Sequence, residues 1–379
     1  MKFLSVLELI FLALLLLVMP RGGFSAWTWN EGIRWFYLFL LSFLAVFLLY
    51  PVSVWLAEKT GAIDMPDERR VHTHPVPRLG GLAVYLAFIF SVLRNFQFSD
   101  EIIGLLAGST VIYLLGALDD IKKLSANTRL VFQLLAAFIV VFSGLKITFT
   151  LQYGLFGKIL SYAISVLWLV GITNAFNFMD GIDGLASTLG LVCSLLFLSV
   201  VVNTNQYHVA FISAALSGAC LGFLKFNWRP AKTFLGDGGS TFIGFMLGCL
   251  AIYGSWASDN PVVALSTPVM ILGIPIFDLI YTTVARVRSG KIRNVREWLE
   301  YAGKDHFHHR LLNLGFSVEM AVLFIAVLNV ILGFSALSVI LRNEIMETFV
   351  MIFQSVLIFI LVVILMLNAR NKERETPKA

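Results

Sequence analysis

Residues 157–202 read GKILSYAISVLWLVGITNAFNFMDGIDGLASTLGLVCSLLFLSVVV, and this stretch decides the fold. It is two apolar runs, 157–178 and 184–202, joined by a short segment of amides, acids and glycines. Each run is long enough to cross a bilayer core of roughly 30 Å as a helix. A join lined by Asn and Asp at membrane depth is tolerated only where it is buried in protein or faces water. The pattern is therefore a pair of spanning helices with a functional break between them.

Working outward, runs of the same kind fill the chain. They lie at about 4–20, 35–57, 80–97, 101–118 and 128–145 before this pair, and at about 207–225, 238–256, 262–285, 318–341 and 347–368 after it. The 379 residues are 58% hydrophobic and 13% charged, where a soluble domain carries about 25% charged residues. The fold class is an all-α polytopic membrane protein with eleven core transmembrane helices and one extra N-terminal helix. The 4–20 run follows Met1-Lys2, but Phe24-Ser25-Ala26 is a poor cleavage site, so it reads as an uncleaved anchor. Cys193, Cys220 and Cys249 all fall inside apolar runs and have neither disulfide nor metal spacing.

Basic residues set the orientation. With Lys2 on one side and the spans alternating, all 28 Lys and Arg residues fall on that side except Arg21, Arg34, Arg94, Lys146, Lys158 and Arg342. Positive charge marks the cytoplasmic side. The net charge of +5 reflects topology, and nothing in it calls for nucleic acid. The same alternation puts Asp119, Asp120, Asp180, Asp183 and Asp237 at the cytoplasmic face, with every histidine but His208. Carboxylates near lipid cost about 2.5–3.5 kcal/mol each even on the lenient insertion scale, so a cluster implies a bound cation, a proton path or both.

Each cluster has its own chemistry. Asp119-Asp120 ends an apolar run where the helix dipole already supplies negative charge, so the pair needs a compensating cation. In helical backbone Asn174, Asn177 and Asp180 share a face and can point at one ligand, with Gly181 and Gly184 allowing the break. FLGDGGS (234–240) places Asp237 and glycine N–H groups at a helix start, a natural site for phosphate or a phosphate-bound metal, although no Walker lysine follows. In HFHHR (306–310) the adjoining Arg suits phosphate or nucleotide better than zinc. The Arg-, His- and Pro-rich stretch 67–81 reads as a phosphate-contacting loop or plain surface charge. Hard oxygen ligands beside cations indicate Mg²⁺, with Mn²⁺ as substitute, holding a diphosphate at a membrane face. A secondary transporter is the rival reading, since it too uses broken helices lined by Asn and Asp.

At this point the chain resembles a known family. PRLGG (77–81), Asp119-Asp120, NAFNFMDGIDGLA (174–186), FLGDGGS (234–240) and HFHHRL (306–311) occur in the order seen in polyprenyl-phosphate N-acetylhexosamine-1-phosphate transferases of glycosyltransferase family 4. The resemblance covers about residues 35–368. It is nearer the branch that starts O-antigen, common-antigen or teichoic-acid linkage units from UDP-GlcNAc than the phospho-MurNAc-pentapeptide branch. It implies a bacterial inner-membrane enzyme of cell-envelope and lipopolysaccharide assembly, with its active site on the cytoplasmic face. Undecaprenyl phosphate attacks a UDP-N-acetylhexosamine and UMP leaves. UDP-GlcNAc is the first expectation, and a UDP-N-acetyl-deoxyhexosamine or UDP-MurNAc-pentapeptide is the alternative. The resemblance leaves a homodimer open.

By the same resemblance Asp237 ligates Mg²⁺, with Asn177 as further ligand or support. Asp119 or Asp120 accepts the lipid-phosphate proton or positions that phosphate. Asp183 and Phe234 hold the uracil, and Asp180 organises the pocket. Arg129, His308, His309 and Arg310 bind diphosphate or sugar, with His306 in the same binding group. The implied organisation is an anchor and periplasmic linker at 1–34, the transferase domain at 35–368 and a cytoplasmic tail at 369–379. The segment 297–305, which opens Glu297-Trp298 and contains no proline, departs from the GlcNAc enzymes next to the sugar and puts the hexosamine in question.

Overall fold

A computed structural model describes residue 8 and residues 23–65, 74–95, 98–148, 153–202, 205–257, 260–294, 297, 298, 301, 303 and 305–375. The N-terminal run at 4–20, apart from Glu8, and the acidic and basic residues at 67–70 lie outside these residues. So do His72, Arg296 and Lys304.

Fourteen helices are seen among the described residues. They are α1 Gly23–Asn30, α2 Arg34–Thr60, α3 Gly81–Asn95, α4 Asp100–Lys122, α5 Ala126–Phe142, α6 Gly154–Met179 and α7 Leu185–Val201. There follow α8 Tyr207–Asn227, α9 Gly236–Tyr253, α10 Pro261–Ile271, α11 Gly273–Arg288, α12 Phe307–Asn313, α13 Val318–Arg342 and α14 Ile345–Glu375. Six of them are long and apolar enough to span a membrane by themselves, and α3, α5 and α7 are shorter apolar helices. With α9 and the α10–α11 pair these match the eleven core spans expected. Among the described residues there is one pair of short strands, β1 Ile63–Asp64 and β2 Val76–Pro77, paired antiparallel in register Ile63 to Pro77.

One expectation is corrected. The run 262–285 is not one straight helix: α10 and α11 meet at 82°. Residues 272–275 read Leu-Gly-Ile-Pro, and Pro275 has no N–H for a continuous helix through the join. The freed carbonyl of Ile271 accepts instead from Asn329 Nδ2 of α13 at 3.2 Å and from the Cys193 thiol of α7 at 3.3 Å.

Helix α9 is the centre of the bundle. Its residues from Gly238 to Ala251 are all buried, and it packs against α4, α6, α3 and α7. Such depth requires small residues on the contact face. A Cβ on Gly116 of α4 would lie 2.5 Å from the Cα of Gly238. The two backbones therefore touch, and the acidic end of α4 is carried against the first turn of α9. The three cysteines are free and buried, as their apolar setting indicated.

Candidate active site

The first turn of α9 is built by two other motifs. Phe234 N donates to Pro77 O at 2.8 Å, Gly80 N to Phe234 O at 3.0 Å and Gly81 N to Leu235 O at 2.9 Å. PRLGG thus runs alongside FLG. Gly236 then enters the helix with φ +74°, where a Cβ would also sit 2.5 Å from Asp120 Oδ2. Only glycine meets both conditions without strain.

Asp120 supplies the helix cap. Its Oδ1 accepts from Asp237 N at 3.0 Å and its Oδ2 from Gly238 N at 3.1 Å. Arg78 balances the charge, 3.5 Å from Asp120 and 3.9 Å from Asp237. This corrects the expectation that these N–H groups face a phosphate: a carboxylate from α4 already occupies them. Adjacent in sequence, Asp119 points elsewhere. It lies 3.2 Å from Arg129 and accepts the Leu124 N–H.

Between α4, α5, α6 and α9 lies a small cavity of about 30 Å³ whose polar walls are Asp119, Arg129, Gln133, Asn174, Asn177, Asp237 and Thr241. Asn177 Nδ2 donates to Asp237 Oδ1 at 2.8 Å and to Ser240 Oγ at 3.0 Å. Asn174 and Gln133 bond reciprocally through their amides at 2.8 and 3.3 Å. The 174/177 periodicity therefore does bring both amides to one place. Asp180 departs from them, because α6 ends at Met179 and Asp180 caps it. Gln133 escaped the sequence reading. Its signal was a lone amide one helical turn after Arg129 inside an apolar run.

The break after α6 is tied to its neighbours by Asp183. Its Oδ2 accepts from Ala231 N at 3.2 Å and lies 3.7 Å from Arg229, which fixes the 228–233 segment beside it. Burial, then the Asp237 charge, push the Asp180 carboxyl up to about 7, against the opposing pull of Arg78. Gly184 supplies the left-handed residue of the break at φ 77°. Gly181 serves otherwise, by leaving space: a Cβ there would fall on the His308 ring, 2.1 Å from its Nε2.

That contact places the His motif against the MDGIDG break. His308 is buried, and both its ring nitrogens lack a partner among the described residues, as does Arg310 NH1. Burial, with His309 and His306 adding like charge, lowers the His308 pKa well below the usual value, so the ring is neutral at pH 7. Buried polar groups are almost always paired, so unpaired ones at a polar break fit a site that a ligand completes. His306 is different. Its Nδ1 lies 2.6 Å from Asp278 Oδ2 and its Nε2 3.0 Å from Arg286. Asp278 and Arg286 were both missed, although a carboxylate inside the apolar run IFDLIY was itself a signal. Trp298 donates to Thr283 Oγ1 at 2.8 Å and stands edge-on to Phe178, centroids 6.2 Å apart.

Comparison with known proteins places the chain in a family. Residues 102–255 match the glycosyl transferase family 4 model. A probable undecaprenyl-phosphate N-acetylglucosaminyl 1-phosphate transferase of Bacillus subtilis is 34% identical over 310 residues, 80% of this chain and 85% of that one. A decaprenyl-phosphate N-acetylglucosaminephosphotransferase of Mycobacterium tuberculosis is 34% identical over 360 residues, 85% and 87% of the two chains. A phospho-N-acetylmuramoyl-pentapeptide-transferase of Petrotoga mobilis is 31% identical over 325 residues, 80% and 97%. With that identity over most of both chains, this protein belongs to the polyprenyl-phosphate N-acetylhexosamine-1-phosphate transferases of glycosyl transferase family 4.

Proposed function

We propose that the protein transfers N-acetylglucosamine 1-phosphate from UDP-GlcNAc to undecaprenyl phosphate at the cytoplasmic face of a bacterial inner membrane. One observation carries the reading: Asp119, Arg129, Asn177 and Asp237, from four separate helices, wall one cavity near the C-terminal end of α6, and just beyond that helix Gly181 meets His308. The relatives' activities, as their names give them, supply the substrates and lend the transporter reading no support. The Lys and Arg distribution supports the cytoplasmic orientation.

In the reaction an oxygen of the lipid phosphate forms a bond to the sugar-bearing phosphorus while the bridge to UMP breaks. A phosphate monoester is already largely ionised at pH 7, so positioning outweighs proton removal. Arg129, held by Asp119 at 3.2 Å, is placed to fix the entering phosphate in the cavity. His308 and Arg310, with unpaired nitrogens, suit the diphosphate oxygens, and the family resemblance gives Asp183 and Phe234 to the uracil. Asp120 works through the backbone by holding the α9 turn that carries Asp237.

The donor set suits Mg²⁺ of the substrate-borne kind. No group of three acidic, His or Cys side chains able to cage a metal occurs among the described residues. Mg²⁺ commonly binds through one or two carboxylates plus substrate phosphates. Asp237 would hold it, with Asn177 orienting that carboxylate through its amide N–H. When bound, the ion neutralises charge on the diphosphate and the departing UMP. Asp237→Ala should abolish UMP release while the protein still inserts and melts as a folded species. Retained Mg²⁺-dependent turnover would remove the assignment.

A further inference from the structure

Asp278 is fully buried in α11, and both its oxygens are engaged with the start of α12. Oδ2 lies 2.6 Å from His306 Nδ1, and Oδ1 accepts the Phe307 N–H at 2.7 Å. On the other side of the imidazole, Arg286 NH2 is 3.0 Å from Nε2. Arg286 in turn grips Asp305 through Nε at 2.9 Å and through NH2. A guanidinium can only donate, so Nε2 must accept and the ring proton must sit on Nδ1, facing Asp278. The row Asp278–His306–Arg286–Asp305 thus fixes the tautomer and both ring edges of His306. The His306 face meanwhile lies over Phe178 of α6, centroids 5.1 Å apart.

Asp278 and Arg286 sit on α11, while His306 opens the helix that ends the loop after it. Two turns of α11 therefore clamp the entry to α12 from one side. Helix α11 itself starts at the 82° bend, where Asn329 and Cys193 donate to the Ile271 carbonyl. His308 and Arg310, two and four residues beyond His306, have no such partners for the nitrogens that remain unpaired. One His is held and the next is left open.

We infer that Asp278 is a positioning residue: through His306 it sets the α12 turn so that His308 and Arg310 face the UDP-sugar beside Gly181. The inference rests on the transferase reading above. Asp278 touches no reacting atom in this account, and its effect falls on the UDP-sugar side of the site.

The test uses the full-length protein in detergent, with UMP release measured against varied UDP-sugar and, separately, varied undecaprenyl phosphate. D278N, H306Q and the double variant are compared with wild type. Asp278→Asn should raise the UDP-sugar KM by about tenfold, the lower end of what losing a partner that orients a metal-bound histidine costs. The lipid-phosphate KM should stay within about twofold. Because the two residues act as one unit, the double variant should be no worse than either single one. An unchanged UDP-sugar KM, an equal rise in both KM values, or single effects that multiply would each overturn the inference. Should D278N fail to fold, H306Q alone decides, with the same KM rise expected and an unchanged KM refuting it. Wild-type protein that releases no UMP would refute the transferase reading itself. Wild-type turnover with an unaltered D278N refutes this inference alone.

Discussion

Asp120→Asn separates two neighbouring carboxylates that sequence alone leaves equivalent. In the structure the Asp120 oxygens accept the N–H groups of Asp237 and Gly238, one each. An asparagine has a single oxygen, and its NH₂ would turn a donor toward the second N–H. One buried backbone donor is then orphaned, at about 1–3 kcal/mol. Loss of negative charge at the α9 N-terminus adds up to about 2 kcal/mol in a partly buried setting. Relief of burying the charge offsets part of this, so a net loss of about 2–4 kcal/mol is expected. The assay is thermal melting in detergent beside UMP release. Asp120→Asn should melt several degrees lower and lose activity in step with that loosening. Asp119→Asn keeps an oxygen for the Leu124 N–H, so it should melt near wild type yet lose turnover through Arg129. If Asp120→Asn melts like wild type while turnover disappears, the cap is not its role, and the chemistry uses Asp120 directly.

Other consequences are equally open to measurement. Gly116→Ala puts a Cβ 2.5 Å from Gly238 Cα and 2.6 Å from the Asp237 carbonyl carbon, both backbone atoms, so α4 and α9 must separate. It should lower stability by about 1–3 kcal/mol and reduce turnover, whereas Gly171→Ala, with nothing within 4 Å, should stay within about 0.5 kcal/mol by melting. Asp180 gives a pH dependence. Its carboxyl sits at about 7 in the fold against 3.8 ordinarily, so between these values the folded chain keeps a proton that the unfolded chain has released. Its contribution is present below about pH 4 and lost as pH rises through 7. Melting temperature should therefore fall across that window more steeply in wild type than in Asp180→Asn, and parallel curves would contradict the assignment.

How far the sequence was legible differs from element to element. The spans were readable because apolar runs of bilayer length have few alternatives, and Asn174 and Asn177 met in one cavity because helical spacing is local. The bend at Leu272 was hidden, since hydropathy averages across a break and only Gly273 and Pro275 marked it. Asp120 could not be told from Asp119, because its role depends on N–H groups 117 residues away. The same holds for His306, whose Asp278 and Arg286 partners come from another helix. Gly181 looked like a turn residue, yet it makes room for His308, a contact that no local pattern encodes. Periodicity reads what lies along one element. Long-range pairing of polar groups had to come from the fold.

The most direct test of the central claim is an exchange assay with purified protein, Mg²⁺, undecaprenyl phosphate and a panel of UDP-sugars, scored for UMP and lipid-linked product. The account predicts UMP release with UDP-GlcNAc and formation of a lipid diphosphate sugar. Product only with a UDP-N-acetyl-deoxyhexosamine or UDP-MurNAc-pentapeptide would keep the reaction and contradict the sugar. No UMP from any donor, in a folded preparation, would contradict the account itself.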